Sequence, residues 1–166
     1  MFLGNASLLS RIENPAEDTM RVPHLLGRLL FGGYFIASGI NHFRHTRELA
    51  QYAAEKKVPK PDLAVQLTGA ALIAGGTSIL FGVRPKLGTA AVAGFLAGVT
   101  PIMHDFWKQE NPEQRMNDMV NFTKNIALMG GAMALMGVEE PWSASVMPQP
   151  TARQRAKRIL RESLAA

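Results

Sequence analysis

Two histidines, a lysine and an aspartate are the side chains of this sequence best suited to hold a polar ligand or to move a proton. His42 and His104 each lie at the end of a long apolar stretch, Asp105 follows His104 directly, and Lys124 lies at the start of another apolar stretch. Imidazole titrates near neutral pH and can donate or accept a hydrogen bond. We therefore expect the histidines to relay protons or to contact ligand oxygens; the alternative is that they only end helices among hydrated headgroups.

Further polar and aromatic residues share helical faces or loop positions with this group. Arg28 and His42 follow steps of four and three residues, so they lie on one helical stripe about 21 Å long. We expect Arg28 to extend its guanidinium to the lipid headgroups or, less readily, to anchor the far end of this stripe. We expect Asp105 to form an ion pair with Lys124 or a nearby arginine. Trp107 fits an interfacial aromatic belt. The candidate ligand-binding residues are Arg28, Asn41, His42, His104, Asp105, Trp107, Lys124 and Asn125.

A metal centre is the weaker interpretation of the same residues. His42, His104 and Asp105 are suitable ligand types, but no HxxxH or HxxE spacing is present. The chain has no cysteine, which excludes a disulfide scaffold, Cys-ligated zinc, an iron–sulfur cluster and thiol redox chemistry in this chain. We expect no metal and no covalently bound cofactor, and the sequence assigns no catalytic residue.

Four stretches that are almost free of ionisable residues must position these groups. They cover residues 24–43, 63–83, 87–104 and 121–138, and a helix needs about 20 mostly apolar residues to cross a bilayer. A soluble four-helix bundle would instead show a polar face at the helical period, and 63–83 has none. The sequence therefore predicts an all-α, four-helix transmembrane bundle.

Small residues recur inside these stretches, where they let helix backbones approach closely in lipid. Ala90, Gly94 and Gly98 repeat every four residues, and we expect them to form a tight helix contact, within the bundle rather than between subunits.

The remaining residues form two arms. We expect residues 1–23 to be a cytoplasmic N-terminal arm, 24–138 the membrane domain, and 139–166 a basic cytoplasmic tail. The tail is predicted to form a basic amphipathic helix on an anionic leaflet or to remain solvated. Lys and Arg are slightly more numerous on the side of the termini, which favours cytoplasmic termini. Nucleic acid is not an expected partner.

Four crossings bring the polar helix ends to one membrane face. The end of the first and third stretches and the start of the second and fourth meet there. Ionisable groups at such depth are costly unless they pair or meet water, so we expect a polar pocket at the non-cytoplasmic end.

At these residues the chain resembles the DoxX family of small four-helix bacterial membrane proteins. The segments that carry the resemblance are GRLLFGGYFIASGINHF (27–43), VPKP (58–61), LTGAALIAGGTSILFGVRPKLG (67–88), HDFW (104–107) and FTKNIALMGGA (122–132). Together they span most of 24–138. The resemblance implies a bacterial plasma-membrane protein with cytoplasmic termini. It also implies proximity to quinone chemistry, since some relatives are named as thiosulfate:quinone oxidoreductase subunits and others are linked to catechols, quinones or oxidative stress.

Together these observations predict a quinone- or phenol-interacting, redox-associated membrane subunit. Here His42 and His104 contact ligand oxygens, Lys124 and Arg28 supply positive charge, and Asp105, Asn41 and Asn125 orient them. The expected partners are membrane lipids and subunits of a larger redox complex. The alternatives are a non-catalytic assembly or scaffold protein and, third, a small-solute or lipid carrier, so enzyme status stays open.

Overall fold

Helices joined by short turns make up the described part of the chain. The computed structural model describes residues 15–140, 142, 145–146 and 152–164. In these residues there is no strand, and the elements are α1 (Pro15–Arg44), α2 (Thr46–Glu55), α3 (Pro61–Phe81), α4 (Pro85–Met103), a 3₁₀ turn (Phe106–Lys108), α5 (Pro112–Met136) and α6 (Ala152–Leu164). The predicted all-α fold class is confirmed.

Local sequence chemistry sets the helix boundaries. Pro61, Pro85 and Pro112 each occupy the start of a helix, where the missing N–H of proline costs nothing. Asn111 caps α5, because its side-chain oxygen accepts from two backbone N–H groups at 2.9 and 3.1 Å. Gly82 ends α3 with a φ of 66°, which favours glycine.

The apolar surfaces of the helices point outward. By length and composition, α3 and the stretch Pro85–Lys108 could each cross a membrane, yet only 33% and 28% of their apolar windows are buried. The core helix of a soluble protein would be mostly buried. Large apolar side chains such as Leu67, Leu87 and Met133 are instead more than 60% exposed. This arrangement is that of a helical membrane bundle.

The predicted segments relate differently to these helices. Segments 63–83 and 87–104 coincide closely with α3 and α4, whereas 24–43 and 121–138 lie mainly in the more polar α1 and α5, whose crossing stays a prediction. α1 begins at Pro15, so residues 15–23 of the predicted arm are helical, and residues 1–14 lie outside the described part.

The closest helix packing joins α1 to α3 through two pairs of glycines. A Cβ on Gly39 would lie 2.6 Å from the carbonyl oxygen of Gly69, and one on Gly76 would lie 2.6 Å from the oxygen of Gly32. The two helices run antiparallel, and the second glycine pair lies seven residues from the first along each helix. Only residues without a side chain permit this approach, which places α1 directly on α3.

The predicted contact at Ala90, Gly94 and Gly98 was wrong. A Cβ at Gly94 or Gly98 would meet nothing within 4 Å, and both residues line an open cavity. α3 and α4 meet instead at Gly75, where a Cβ would lie 3.0 Å from the carbonyl oxygen of Gly88. A repeat of small residues permits close approach, but it does not determine whether a helix or an open space lies opposite.

The remaining helices pack in the order α1, α3, α4, α5, with α2 against α3. α1 and α5 have no extended backbone contact. Their side chains meet toward one end, where Phe31 of α1 reaches to within 3.3 Å of the Cβ position at Gly131 of α5. At the other end, α1 and α5 stand on either side of the cavity described below.

Candidate ligand-binding cavity

A cavity of about 810 Å³ opens at the end of the bundle where the loops before α3 and after α4 meet. It is bounded by α1, α2, α3, α4 and α5. Five of the eight predicted candidates line it, namely Asn41, His42, His104, Lys124 and Asn125. The topology thus brings these polar helix ends together, while their binding role stays a prediction.

The geometry of His42 fixes which of its nitrogens can accept a hydrogen bond. Its Nδ1 lies 2.8 Å from the carbonyl oxygen of Ser38, one turn earlier on α1. Because a carbonyl oxygen can only accept, Nδ1 must carry the hydrogen, and Nε2 of the neutral ring keeps a lone pair. The ring packs edge-on against Phe95, with centroids 6.0 Å apart. His42 is therefore prepared to accept a hydrogen bond from a hydroxyl group.

His104 brings a buried polar atom that lacks a hydrogen bond within the described residues. Its Nδ1 is buried and lies 3.5 Å from Oδ1 of Asp118, beyond the usual range for a good hydrogen bond. Asp118 is itself buried and accepts from Nε2 of Gln109 at 2.9 Å. Leaving a buried nitrogen unsatisfied costs about 1–3 kcal/mol. A ligand, a water or a small approach of Asp118 would remove that cost.

Lys124 is oriented by a residue other than the one predicted. Its Nζ donates to Oδ1 of Asn121 at 2.8 Å, so the expectation that Asn125 fixes its direction was wrong. The partner lies one helical turn earlier on α5, where an i, i+3 pair meets naturally. Asn125 is buried, at 8% exposure, and its amide lines the cavity wall.

Asp105 pairs with Lys56, the residue that follows α2, not with Lys124 or an arginine as predicted. Nζ of Lys56 donates a short hydrogen bond to Oδ1 of Asp105, and Nζ of Lys108 lies 3.3 Å from Oδ2. The side chains of Lys56 and Asp105 are only 13% and 10% exposed. Burial opposes the charge of Lys56, but the hydrogen bond to Asp105 and neighbouring charges outweigh it and raise the pKa of Lys56.

Tyr52 of α2 separates the main cavity from a second one. Its hydroxyl donates to the carbonyl oxygen of Met103 at 2.8 Å, and burial raises its pKa. Tyr52 lines both the main cavity and an adjoining polar cavity of about 580 Å³, which also contains Lys56 and Asp105. The Lys56–Asp105 pair thus lies in the second, polar cavity, beyond Tyr52.

Besides Asp105, two more predicted candidates, Trp107 and Arg28, lie outside the main cavity. Trp107 is 52% exposed and contacts Phe106 and Phe122 edge-on, with centroids 5.1 and 5.8 Å apart. This exposed aromatic cluster fits the predicted interfacial belt.

Arg28 is buried at 1% exposure, so the expectation that it reaches the headgroups was wrong. Its guanidinium donates to the carbonyl oxygens of Ile79 and Leu80 at 3.0 and 2.8 Å and lies 5.5 Å from the ring centroid of Trp142. At the end of α3 the carbonyl oxygen of Ile79 accepts a long hydrogen bond from the Gly82 N–H, at 3.4 Å, and Arg28 adds closer donors to Ile79 and Leu80. Arg28 thus lies near the middle of α1, about 21 Å along the axis from His42, and it does not line the cavity.

Sequence reasoning missed Tyr52, Lys56 and Asp118. Residues 44–62 lie between the first two predicted segments, where no helix was predicted, whereas in the structure α2 packs Ala50 and Ala53 into the bundle. The alternation of these small residues with polar ones in TRELAQYAAE was the available signal, because it marks a short amphipathic helix. Asp118 carried no signal, since its burial depends on the path of the chain after α4.

A family model described as DoxX matches residues 24–105 of the chain. The chain belongs to the DoxX family. The match covers α1 from His24 through α4 and includes His42 and His104, while the cavity wall formed by α5 lies outside it. No curated protein and no solved structure matches the chain. Family membership and the outward-facing apolar helices together identify this DoxX protein as a membrane protein.

Metal ligation has little support in the described part of this DoxX protein. No group of three or more His, Cys, Asp or Glu side chains there could hold a metal ion. The cavity is instead lined by hydrogen-bonding side chains that are neutral or carry one charge, and these lie among apolar and aromatic side chains. Such a lining suits a small, mostly apolar molecule with a few oxygen atoms.

Proposed function

We propose that this DoxX protein binds a hydroquinone, or a related phenol, in the main cavity and presents it to a larger redox complex of the bacterial inner membrane. The cavity volume of about 810 Å³ lies in the range typical of small-molecule sites. Phe35, Phe95 and Leu96 provide apolar walls, and the polar groups gather at the end near the loops.

The observation that carries the proposal is the orientation of His42. Because Nδ1 is committed to the Ser38 carbonyl, Nε2 can accept a hydrogen bond from a phenolic hydroxyl. A carbonyl oxygen of an oxidised quinone offers no hydrogen to this atom. The neutral ring therefore favours the reduced, hydroxyl-bearing form of the ligand over the oxidised form.

The other lining groups complement this contact. The buried amide of Asn125 can donate to a second ligand oxygen, and Lys124 supplies a positive charge at the cavity rim. If the phenolic proton passes to Nε2 of His42, the resulting phenolate is stabilised by the imidazolium and the ammonium. Oxidation to the quinone removes two electrons and both hydroxyl protons. We assign the electrons to an acceptor in a partner subunit of the larger complex, while the first proton leaves through Nε2 of His42 and the second passes to water at the loop end of the cavity.

The proposal places both termini in the cytoplasm and the cavity at the non-cytoplasmic end. It is supported by the small excess of basic residues on the side of the termini and by the resemblance to the family. α6 would then lie on the cytoplasmic side, where anionic lipid attracts basic helices.

Binding of decylhydroquinone to the purified full-length protein in mild detergent tests the proposal. His42→Phe keeps an aromatic ring against Phe95 but removes the acceptor nitrogen. The loss of one hydrogen bond of about 1.5 kcal/mol weakens binding about tenfold. The oxidised decylquinone should be affected much less. His45→Phe is the matched control, because His45 is exposed, contacts Glu48 at 3.2 Å and does not line the cavity.

Equal affinities for the His42 and His45 variants would refute the role of the imidazole. A fall in thermal stability of the His42 variant, without any ligand effect, would favour a scaffold whose polar cluster only holds the helices together.

A further inference from the structure

The main cavity opens sideways, between α1 and α5, as well as toward the loops. These two helices make no extended backbone contact, although each packs on its own neighbour. Tyr34 of α1 and Lys124 of α5 both line the cavity, yet Tyr34 is 47% exposed and Lys124 is also exposed. Residues that line a cavity and reach the outer surface mark its rim. The rim therefore lies on the flank of the bundle that would face lipid.

Two glycines of α4 form the floor of this lateral opening. Gly94 and Gly98 line the cavity, and a Cβ at either position would meet nothing within 4 Å. At 1.5 Å per residue they lie about 15 and 9 Å along the helix axis from His104. The floor thus extends as an open groove from the polar end of the cavity toward the middle of the bundle, and Gly94 and Gly98 place no side chain in it.

Polarity changes along this groove. His104 lies at the end near the loops, and the ring of His42 packs against Phe95. At 1.5 Å per residue, Phe35 lies about 10 Å along α1 from His42, and Leu96 about 12 Å along α4 from His104, so the apolar lining extends deeper than the polar groups. A water-soluble phenol would use only the polar end. A molecule with a polar aromatic head and an attached hydrocarbon chain would use both parts, with the chain leaving between α1 and α5.

We propose that the gap between α1 and α5 is a lateral portal, and that the ligand is a membrane-borne hydroquinone whose hydrocarbon tail lies on Gly94 and Gly98. This inference rests on the proposed function, because it assigns the tail of the same ligand. It adds the route of access, from the lipid phase, and the class of ligand, one carrying a long apolar tail.

Filling the groove floor tests the portal. Gly98→Leu places a side chain where the tail would lie, and Gly130→Leu is the matched control. Gly130 also has open space around its Cβ position and is exposed, but it does not line the cavity. Binding of decylhydroquinone and of methylhydroquinone, which share the ring, is measured for both full-length variants in the same detergent.

The portal predicts that Gly98→Leu weakens binding of decylhydroquinone about tenfold, the equivalent of about two methylene groups no longer buried. Binding of methylhydroquinone should change by less than about twofold, because the polar end is untouched. Gly130→Leu should change neither affinity. A thermal melt of Gly98→Leu that matches that of Gly130→Leu confirms that the fold is kept, and Gly94→Leu provides a second groove variant.

Each other outcome overturns a defined part of this account. If the two probes weaken equally, or neither weakens, the groove holds no tail and the portal is wrong, while His42-dependent binding still supports the proposed function. If neither probe binds the unmodified protein, the proposed function fails and the portal with it. If phospholipid displaces decylhydroquinone in a manner sensitive to Gly98→Leu but not to His42→Phe, the groove is a lipid site.

Discussion

The glycine contact between α1 and α3 predicts a sharp difference between two alanine substitutions in the same helix. Gly39→Ala introduces a Cβ that would lie 2.6 Å from the Gly69 carbonyl oxygen and 2.9 Å from the backbone nitrogen of Ile73. Gly33→Ala is the matched control, because its Cβ would meet nothing within 4 Å. Both changes add one methyl group to α1, and only the first adds it at the contact.

The expected difference in the free energy of unfolding follows from these distances. Ordinary contact begins near 3.4 Å, so the Gly39 variant must open α1 from α3 by about 0.8 Å. Overpacking of this kind costs about 1–3 kcal/mol. Replacing glycine by alanine inside a helix gains up to about 1 kcal/mol, and Gly33→Ala receives only this gain. We expect the two variants to differ by about 1–3 kcal/mol.

The assay is reversible unfolding in mixed micelles of mild detergent and dodecyl sulfate, followed by circular dichroism. Binding of decylhydroquinone is measured in parallel, because His42 is next to the same contact: a Cβ on Gly69 would lie 2.8 Å from the His42 Cβ. Gly69→Ala should therefore reduce ligand affinity as well as stability. Equal stabilities for Gly39→Ala and Gly33→Ala would refute the close approach of α1 and α3.

Three further predictions concern the buried charges and the topology. Arg28→Met removes the cap from α3 and should lower the free energy of unfolding by about 2–4 kcal/mol in the same micelle assay. Its affinity for decylhydroquinone should stay within about twofold of that of the unmodified protein. An unchanged free energy of unfolding would contradict the capping role of Arg28. Lys56→Gln should cost about 1.5–3 kcal/mol and Lys108→Gln about 0–1 kcal/mol, because both lysines pair with the same aspartate but only Lys56 is buried. The pKa of Lys56 is raised, so the contribution of Lys56 to the free energy of unfolding is complete below its ordinary pKa near 10.5 and is lost as the pH rises through the higher folded value. The difference in stability between the unmodified protein and Lys56→Gln should therefore close only in strong alkali. Glu110→Cys and Ser163→Cys, made in a chain without other cysteines, should react with an impermeant thiol reagent from opposite sides of the membrane if α5 crosses it, and labelling from one side would show that it does not.

The sequence predicted the helical class and the meeting of polar helix ends for a physical reason. In lipid, a long uncharged segment of this kind satisfies the hydrogen bonds of its backbone by forming a helix. The alternating direction of successive crossings then determines which helix ends meet. His42 and Asn125 are far apart in the chain, yet alternating crossings alone predict that the two helices bring them to the same cavity.

The partners of the charged groups could not be predicted in the same way. Asp105 has several lysines within reach, and the choice of Lys56 depends on α2 packing Ala50 and Ala53 into the bundle. Arg28 reaches the last carbonyls of α3 because the glycine contacts bring α1 so close to α3. The open side of Gly94 likewise depends on where α5 lies. Each of these outcomes is set by tertiary packing, which a single sequence pattern does not encode.

Photolabelling tests the central claim, the ligand cavity between α1 and α5, most directly. A decylhydroquinone that carries an aryl azide on its ring is bound to the full-length protein in mild detergent, irradiated, and mapped by peptide mass spectrometry. The account predicts adducts on residues 34–42 and 121–125 that excess unlabelled decylhydroquinone suppresses and that His42→Phe reduces. Adducts on the outward-facing Leu25, Leu26, Leu29 and Leu30 of α1, insensitive both to the competitor and to His42→Phe, would contradict it.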